Sequence, residues 1–257
     1  MVTARSSDAD VAAHVARRTG ERLLHVRETL MAQGASPRDV KDEGDGAAQV
    51  AIAEALRDLR PDDAVLSEEA LDDPARLSAD RVWIVDPLDG TQEYSERGRH
   101  DWAVHVALWE RRVAPDGALT AGAVALPAMG LVLTTDPPPA PPAARAGAPR
   151  VVVSRTRAPR EAAAVARAIG AELVTLGSAG AKTMAVVLGQ VDAYVHSGGQ
   201  HQWDSAAPVA VALAAGLHAS RRGGSPLVYN RADTWLPDLI VCRPEWAERA
   251  LAALRRT

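Results

Sequence analysis

Val11, Val15, Thr19, Leu23, Val26 and Leu30 recur at helical spacing, which predicts a first long helix over residues 8–33 that stops at Gly34. Residues 47–59 read as a second helix. A short apolar run, Ala64-Val65-Leu66, leads into Ser67-Glu68-Glu69. Val82-Trp83-Ile84-Val85 predicts a buried strand that delivers Asp86 at its C-terminal end. In residues 101–109, Trp102, Val104, Val106 and Leu108 alternate with the other face at the period of a strand. Further strands are expected over 121–126 and 131–134, turning through Pro127 and Gly130.

The pattern then breaks. Residues 136–150 read DPPPAPPAARAGAPR, a Pro/Ala stretch that suits neither a helix interior nor a central strand. This places a boundary between an N-terminal domain, residues 1–135, and a C-terminal domain, residues 151–257. Beyond it, strands at 151–153, 172–175 and 191–195 alternate with helices at 159–169, 180–188 and 205–215. That alternation predicts an α/β unit, closed by a strand at 238–242 and a helix at 244–255. The first half reads as α+β.

Composition narrows the function. A chain of 257 residues, 47% hydrophobic and with a net charge of −4, offers no basic surface for nucleic acid or an anionic membrane. No apolar run approaches the roughly 20 residues of a membrane span, and MVTARSSDAD lacks an apolar signal core, so a cytoplasmic location is expected. The single cysteine, Cys242, excludes an internal disulfide and a multi-cysteine metal site, and reads as an inert core thiol. Lysine occurs only at Lys41 and Lys182. Nothing fixes the oligomeric state, and a homodimer is compatible with the sequence.

Four acidic segments stand out: Asp45 in EGDG, Glu68-Glu69 in LSEEA, Asp86-Pro87-Leu88-Asp89-Gly90-Thr91, and Trp203-Asp204 in WDSAA. Each alone has an ordinary role. Asp45 or Asp204 would serve as a helix cap, Glu68-Glu69 as a solvated loop, and Asp89-Gly90 as a turn. Together they match what divalent-metal chemistry needs. Magnesium takes oxygen ligands and is commonly held by a few carboxylates plus substrate phosphate. A tight Pro-Leu turn would aim Asp86 and Asp89 into one cleft with the Leu88 carbonyl between them. Gly90 admits close backbone approach, and Thr91 would open a helical turn whose amides can bind phosphate.

WIVDPLDGTQEY resembles the metal-binding signature of the inositol monophosphatase superfamily, W-I-[IV]-D-P-[IL]-D-G-T-x-[EN]-[FY], and WDSAAPVAVALAAG resembles its second signature. SEE stands where the family usually has GEE. The resemblance spans residues 8–242. It implies a five-layer αβαβα sandwich with the active site between the halves, and two or three Mg2+ ions held by Glu68, Asp86, the Leu88 carbonyl, Asp89 and Asp204. It implies catalytic roles for Asp45, Glu68 and Thr91, with Asp45 and Thr91 orienting a water that attacks phosphorus in line. Gly90 and Thr91 match the phosphate-binding backbone. Lithium sensitivity is expected on the same ground.

The substrate side is similar to the CysQ-type 3'(2'),5'-bisphosphate nucleotidases, particularly actinobacterial ones. Glu93 replaces the Asn common in inositol phosphatases. Val153-Ser154-Arg155-Thr156-Arg157 resembles their V-S-R-S-H segment, with Arg157 in place of His. Gly177-Ser178-Ala179-Gly180-Ala181-Lys182 resembles G-S-[SA]-x-x-K. Ser154, Arg155, Arg157, Ser178 and Lys182 are therefore expected to bind a small phosphate substrate, 3'-phosphoadenosine 5'-phosphate or 3'-phosphoadenylyl sulfate. Inositol 1-phosphate or fructose 1,6-bisphosphate is the alternative substrate, and a non-catalytic phospholigand-binding protein the remote one. His105 reads as structural, Trp203 as core packing, and His196 and His201 flank a Gly-Gly loop before Asp204.

Overall fold

The computed structural model describes residues 2–141, 143 and 147–257. Five strands, β1 (Ala64–Ser67), β2 (Arg81–Asp89), β3 (Ala103–Glu110), β4 (Ala118–Leu126) and β5 (Leu131–Thr134), form one sheet in that order. β1 and β2 run parallel and the other neighbours antiparallel. β6 (Arg150–Ser154), β7 (Glu172–Leu176), β8 (Ala193–Ser197), β9 (His218–Ser220) and β10 (Asp238–Cys242) form a second sheet, ordered β7-β6-β8-β10-β9. There β6 is parallel to β7 and β8, while β10 is antiparallel to β8 and β9.

The apolar strands are buried on both faces, and their period of two sorts residues into different cores. Along β2, Trp83 and Val85 join one core while Val82 and Ile84 join another. On β6, Val152 faces the second core and Val151 and Val153 a third. Helices fill the spaces. α1 (Asp8–Ala32) and α2 (Pro37–Leu59) cover the outer face of the first sheet. α5 (Ala179–Val187) and α6 (Gln202–Ala214) lie between the sheets, and α4 (Arg160–Ile169) and α7 (Pro244–Leu254) cover the outer face of the second. The order is helix, sheet, helix, sheet, helix, the five-layer αβαβα sandwich expected. The middle core draws residues from both sides of the 136–150 segment. Residues 142 and 144–146 of that segment lie outside the described residues.

Two elements differ from the sequence pattern. α2 begins at Pro37, ahead of residue 47. Ser36 caps it with a reciprocal box: the Asp39 amide donates to Ser36 Oγ at 3.2 Å, and the Ser36 amide donates to Asp39 Oδ2 at 3.3 Å. Gly44 does not break the helix; a Cβ there would collide with the Tyr94 ring, so glycine is what allows this contact. Asp45 consequently sits inside a helix and is no N-cap. β9 was not expected, since three residues, His218–Ser220, carry no readable alternation.

Candidate active site

β2 pairs with β3 in register as far as Asp86 opposite His105, and the next pair is Asp89 opposite Ala103. Three steps on β2 match two on β3, a bulge centred on Pro87, which has no amide to give the ladder. Residues three apart on a regular strand face opposite sides. The extra residue brings Asp86 and Asp89 together, and the Leu88 amide donates to Asp86 Oδ1 at 3.1 Å. Gly90 (φ 88°) then starts α3 (Thr91–Ser95) in the left-handed region, and a Cβ there would stand 2.9 Å from Ser178 Cβ.

Asp204 arrives from the first turn of α6, where the His201 amide donates to its Oδ2 at 2.7 Å. It is thus both a helix-terminus residue and a member of the acidic cluster. One carboxylate oxygen from each of Asp86, Asp89 and Asp204 lies within 4.8 Å of the others. Glu68 follows β1 and lies outside that tight group; the residue is exposed overall, but its carboxyl reaches in beside Asp86. Ser67 Oγ donates to Gln49 Oε1 at 2.7 Å, tying the end of β1 to α2.

The electrostatics are those of a site built for cations. Burial, then the charges of Glu68, Asp89 and Asp204, hold Asp86 well above the usual carboxylate range. Burial, then Asp204 and Asp89, raise Glu68. Burial and Asp89 push Asp204 up to about 6. Asp89 goes the other way: burial opposes its charge, but His105, Lys182 and the Ser178 hydroxyl outweigh burial and hold it at about 2. His105 Nε2 lies 3.2 Å from Asp89 Oδ2. Full ionisation of this cluster requires positive charge between the carboxylates, and an all-oxygen donor set selects hard divalent ions. The residues present fit such a metal.

Thr91 Oγ1 lies 3.2 Å from the Leu88 carbonyl and 3.4 Å from Asp45 Oδ1. Burial and then Glu69 push Asp45 up to about 7, which suits a group exchanging protons near neutrality.

A cleft of about 270 Å3 opens beside the cluster, and Asp89, Gly90, Thr91, Asp204, Ser154, Arg155, Arg157, Ser178 and Lys182 all line it. His196 lines it too, but His201 does not: it stacks on Trp203 at 4.7 Å between ring centroids. Trp203 packs against the middle core and Cys242 is a buried free thiol, as expected. Arg155 Nη2 donates to Glu93 Oε1 at 2.7 Å and Glu96 Oε1 at 2.9 Å. Lys182 Nζ donates to the Gly177 and Ser178 carbonyls and sits 5.3 Å from the Tyr194 ring centroid. A larger groove of about 760 Å3 runs between α1 and α2 around Val50, away from the carboxylates.

Sequence reasoning missed Asp101, which is buried and accepts the Gly177 amide at 2.7 Å, holding the turn before α5 against β3. Its position at the head of an alternating strand gave no sign of a partner far along the chain. Glu93 was noted only as a sequence marker; it is buried and is the anchor of Arg155.

Known proteins share this arrangement. The profile of the Inositol monophosphatase family matches residues 3–137 and 140–257. The chain is 49% identical to the 3'-phosphoadenosine 5'-phosphate phosphatase of Mycobacterium leprae over 259 residues, covering 98% of this chain and 95% of that one. It is 32% identical to the 3'(2'),5'-bisphosphate nucleotidase CysQ of Escherichia coli K12 over 88% of this chain and 96% of that one. The crystal structure of CysQ from Bacteroides thetaiotaomicron superposes with a TM-score of 0.76 at 27% identity, covering 93% of this chain and 98% of that one. With nearly the whole chain matched, and with the layered fold and the acidic cleft in place, the chain belongs to the inositol monophosphatase family.

Proposed function

We propose that the chain is a Mg2+-dependent phosphatase that removes the 3'-phosphate of 3'-phosphoadenosine 5'-phosphate, and of 3'-phosphoadenylyl sulfate, by attack of water. The observation that carries this reading is the convergence of Asp86, Asp89 and Asp204 within 4.8 Å beside the Thr91–Asp45 pair. The substrate is supported by the near-full-length similarity to a 3'-phosphoadenosine 5'-phosphate phosphatase.

In this reading Glu68, Asp86, the Leu88 carbonyl, Asp89 and Asp204 hold two or three Mg2+ ions. When bound, the ions supply charge neutralisation for the phosphate and the departing 3'-oxygen. Thr91 and Asp45 orient the attacking water and take up its proton, with Asp45 near neutrality and Glu68 assisting. The amides of Gly90 and Thr91 face the phosphate. Ser154 and Arg157 serve the second phosphate; Arg157 makes no ion pair among the described residues and so has charge to offer. Arg155 shapes the same wall through Glu93 and Glu96. Residues 1–135 and 151–257 act as two lobes joined by 136–150, with the substrate between them. A cytoplasmic, homodimeric, lithium-sensitive enzyme completes the proposal.

The test is metal titration of 3'-phosphoadenosine 5'-phosphate hydrolysis in the wild type, Asp86→Asn and Asp89→Asn. Each substitution should remove most turnover at subsaturating magnesium while circular dichroism stays native. Near-normal turnover in both variants would refute the metal assignment.

A further inference from the structure

α3 is a helix of five residues, too short to hold itself, and its last carbonyls have no partner inside the helix. Arg27, half-buried on α1, supplies one. Its Nε donates to the Tyr94 carbonyl at 2.7 Å, and its Nη2 donates to the Glu96 carbonyl at 2.6 Å and the Arg99 carbonyl at 3.1 Å. One guanidinium thus fixes the end of α3 and the loop that follows it. One turn back on α1, the Leu23 carbonyl accepts the Tyr94 hydroxyl at 2.9 Å.

Tyr94 carries this grip across to α2. Its ring is fully buried, stands edge-on to Trp102 at 5.0 Å between centroids, and presses on Gly44; the Arg27 guanidinium carbon lies 5.7 Å from its centroid. Gly44 is the neighbour of Asp45, and Tyr94 follows Thr91 by one turn of α3. α1 therefore sets how α3 sits on α2, and with it the 3.4 Å between Thr91 Oγ1 and Asp45 Oδ1. Arg27 does not line the cleft, and it makes no hydrogen bond or ion pair with Asp86, Asp89 or Asp204.

We infer that Arg27 is a positioning residue for the reaction: by holding the carbonyls of Tyr94, Glu96 and Arg99 it sets the placement of Thr91 against Asp45, and so kcat, without touching substrate or the acidic cluster. The inference rests on the water-orienting role of the Thr91–Asp45 pair proposed above. A misplacement of about 1 Å caused far from the chemistry can lower a rate about 10²-fold.

The test is steady-state hydrolysis of 3'-phosphoadenosine 5'-phosphate at saturating Mg2+, with isothermal titration of Mg2+ alone and circular dichroism on the same samples. Arg27→Ala should lower kcat by about 10–100-fold and leave KM within about threefold. Its Mg2+ affinity should also stay within about threefold, because the carboxylates on β2 and α6 are held by other contacts. In a Thr91→Ala background, adding Arg27→Ala should cost less than about threefold further, since a residue that acts through Thr91 has nothing left to position. Arg97→Ala is the control. It cuts a second tie between the same loop and α1, where Arg97 Nη2 donates to the Met31 carbonyl at 2.5 Å, and should leave kcat within about twofold. Arg27→Met keeps the apolar stem against the rings and serves if Arg27→Ala fails to fold. A folded Arg27 variant with normal kcat would overturn the inference. So would an equal loss in the Thr91→Ala background, an equal loss in Arg97→Ala, a matching loss of Mg2+ affinity, or failure of both Arg27 variants to fold, each of which makes Arg27 a general support of the structure. If Thr91→Ala itself leaves kcat unchanged, the water-orienting reading fails first, so the two failures are distinguishable.

Discussion

Thr91 Oγ1 stands 3.4 Å from Asp45 Oδ1, joining the first residue of α3 to the interior of α2. A water bound beside this pair would have a hydroxyl to align it and a carboxylate, pushed up to about 7, to accept its proton. Thr91→Ala should therefore lower kcat by about 10²–10⁴-fold with little change in KM, because this help is felt in the transition state. Asp45→Asn should behave the same way. Steady-state kinetics at saturating metal check it; a raised KM with unchanged kcat would reduce Thr91 to a phosphate contact.

A buried arginine ties the loop after Glu68-Glu69 to the loop before β10. Arg76 is 1% exposed and donates to Asn230 Oδ1 at 2.7 Å and the Arg231 carbonyl at 3.1 Å, and it pairs with Asp72. Asn230 is held in the left-handed region at φ 53°. Arg76→Ala would leave Asn230 Oδ1 without its donor and take one of two donors from the Arg231 carbonyl, which keeps Gln202 Nε2 at 3.2 Å, and should cost roughly 1–3 kcal/mol. Denaturant unfolding measures it. A loss below about 0.5 kcal/mol would show that the latch carries no weight.

Burial, with Lys182 beside it, holds His196 down at about 4, against an ordinary value of about 6.5. Between these values the unfolded chain binds a proton there that the folded chain does not. His196 therefore costs stability as pH falls through that window and costs nothing above it. The raised carboxylates of the metal site titrate in the opposite sense nearby, so the wild-type curve is a sum. His196→Gln removes one term. Urea midpoints at pH 7.5 and pH 5 should drop less between the two in the variant than in the wild type. An equal or larger drop would contradict the assignment.

The order of an α+β half and an α/β half was legible because apolar strands such as Val82–Val85 announce burial, whereas the five-layer stacking was implied only by the family resemblance; Glu68, Asp86 and Asp204 fall at or near strand ends and a helix start, where a cleft forms. The start of α2 was not. Gly44 and Gly46 among four acids read as a loop, whereas Ser36 and Asp39 already carried a capping box that outweighs them. Long-range partners were also hidden. The apolar run of α5 tells that it is buried all round but not that its N-terminus meets Asp89, and no local pattern shows that Glu93 and Glu96 engage Arg155. Such pairings depend on how two sheets stack on a shared layer of helices, and no local pattern encodes that.

The most direct measurement is kcat/KM for 3'-phosphoadenosine 5'-phosphate, inositol 1-phosphate and fructose 1,6-bisphosphate, each with Mg2+ and after chelation. The account predicts that the nucleotide is preferred by at least about tenfold, roughly 1.4 kcal/mol in transition-state binding, and that chelation abolishes all turnover. A preference for inositol 1-phosphate would contradict the substrate claim, and full activity in chelator would contradict the metal site.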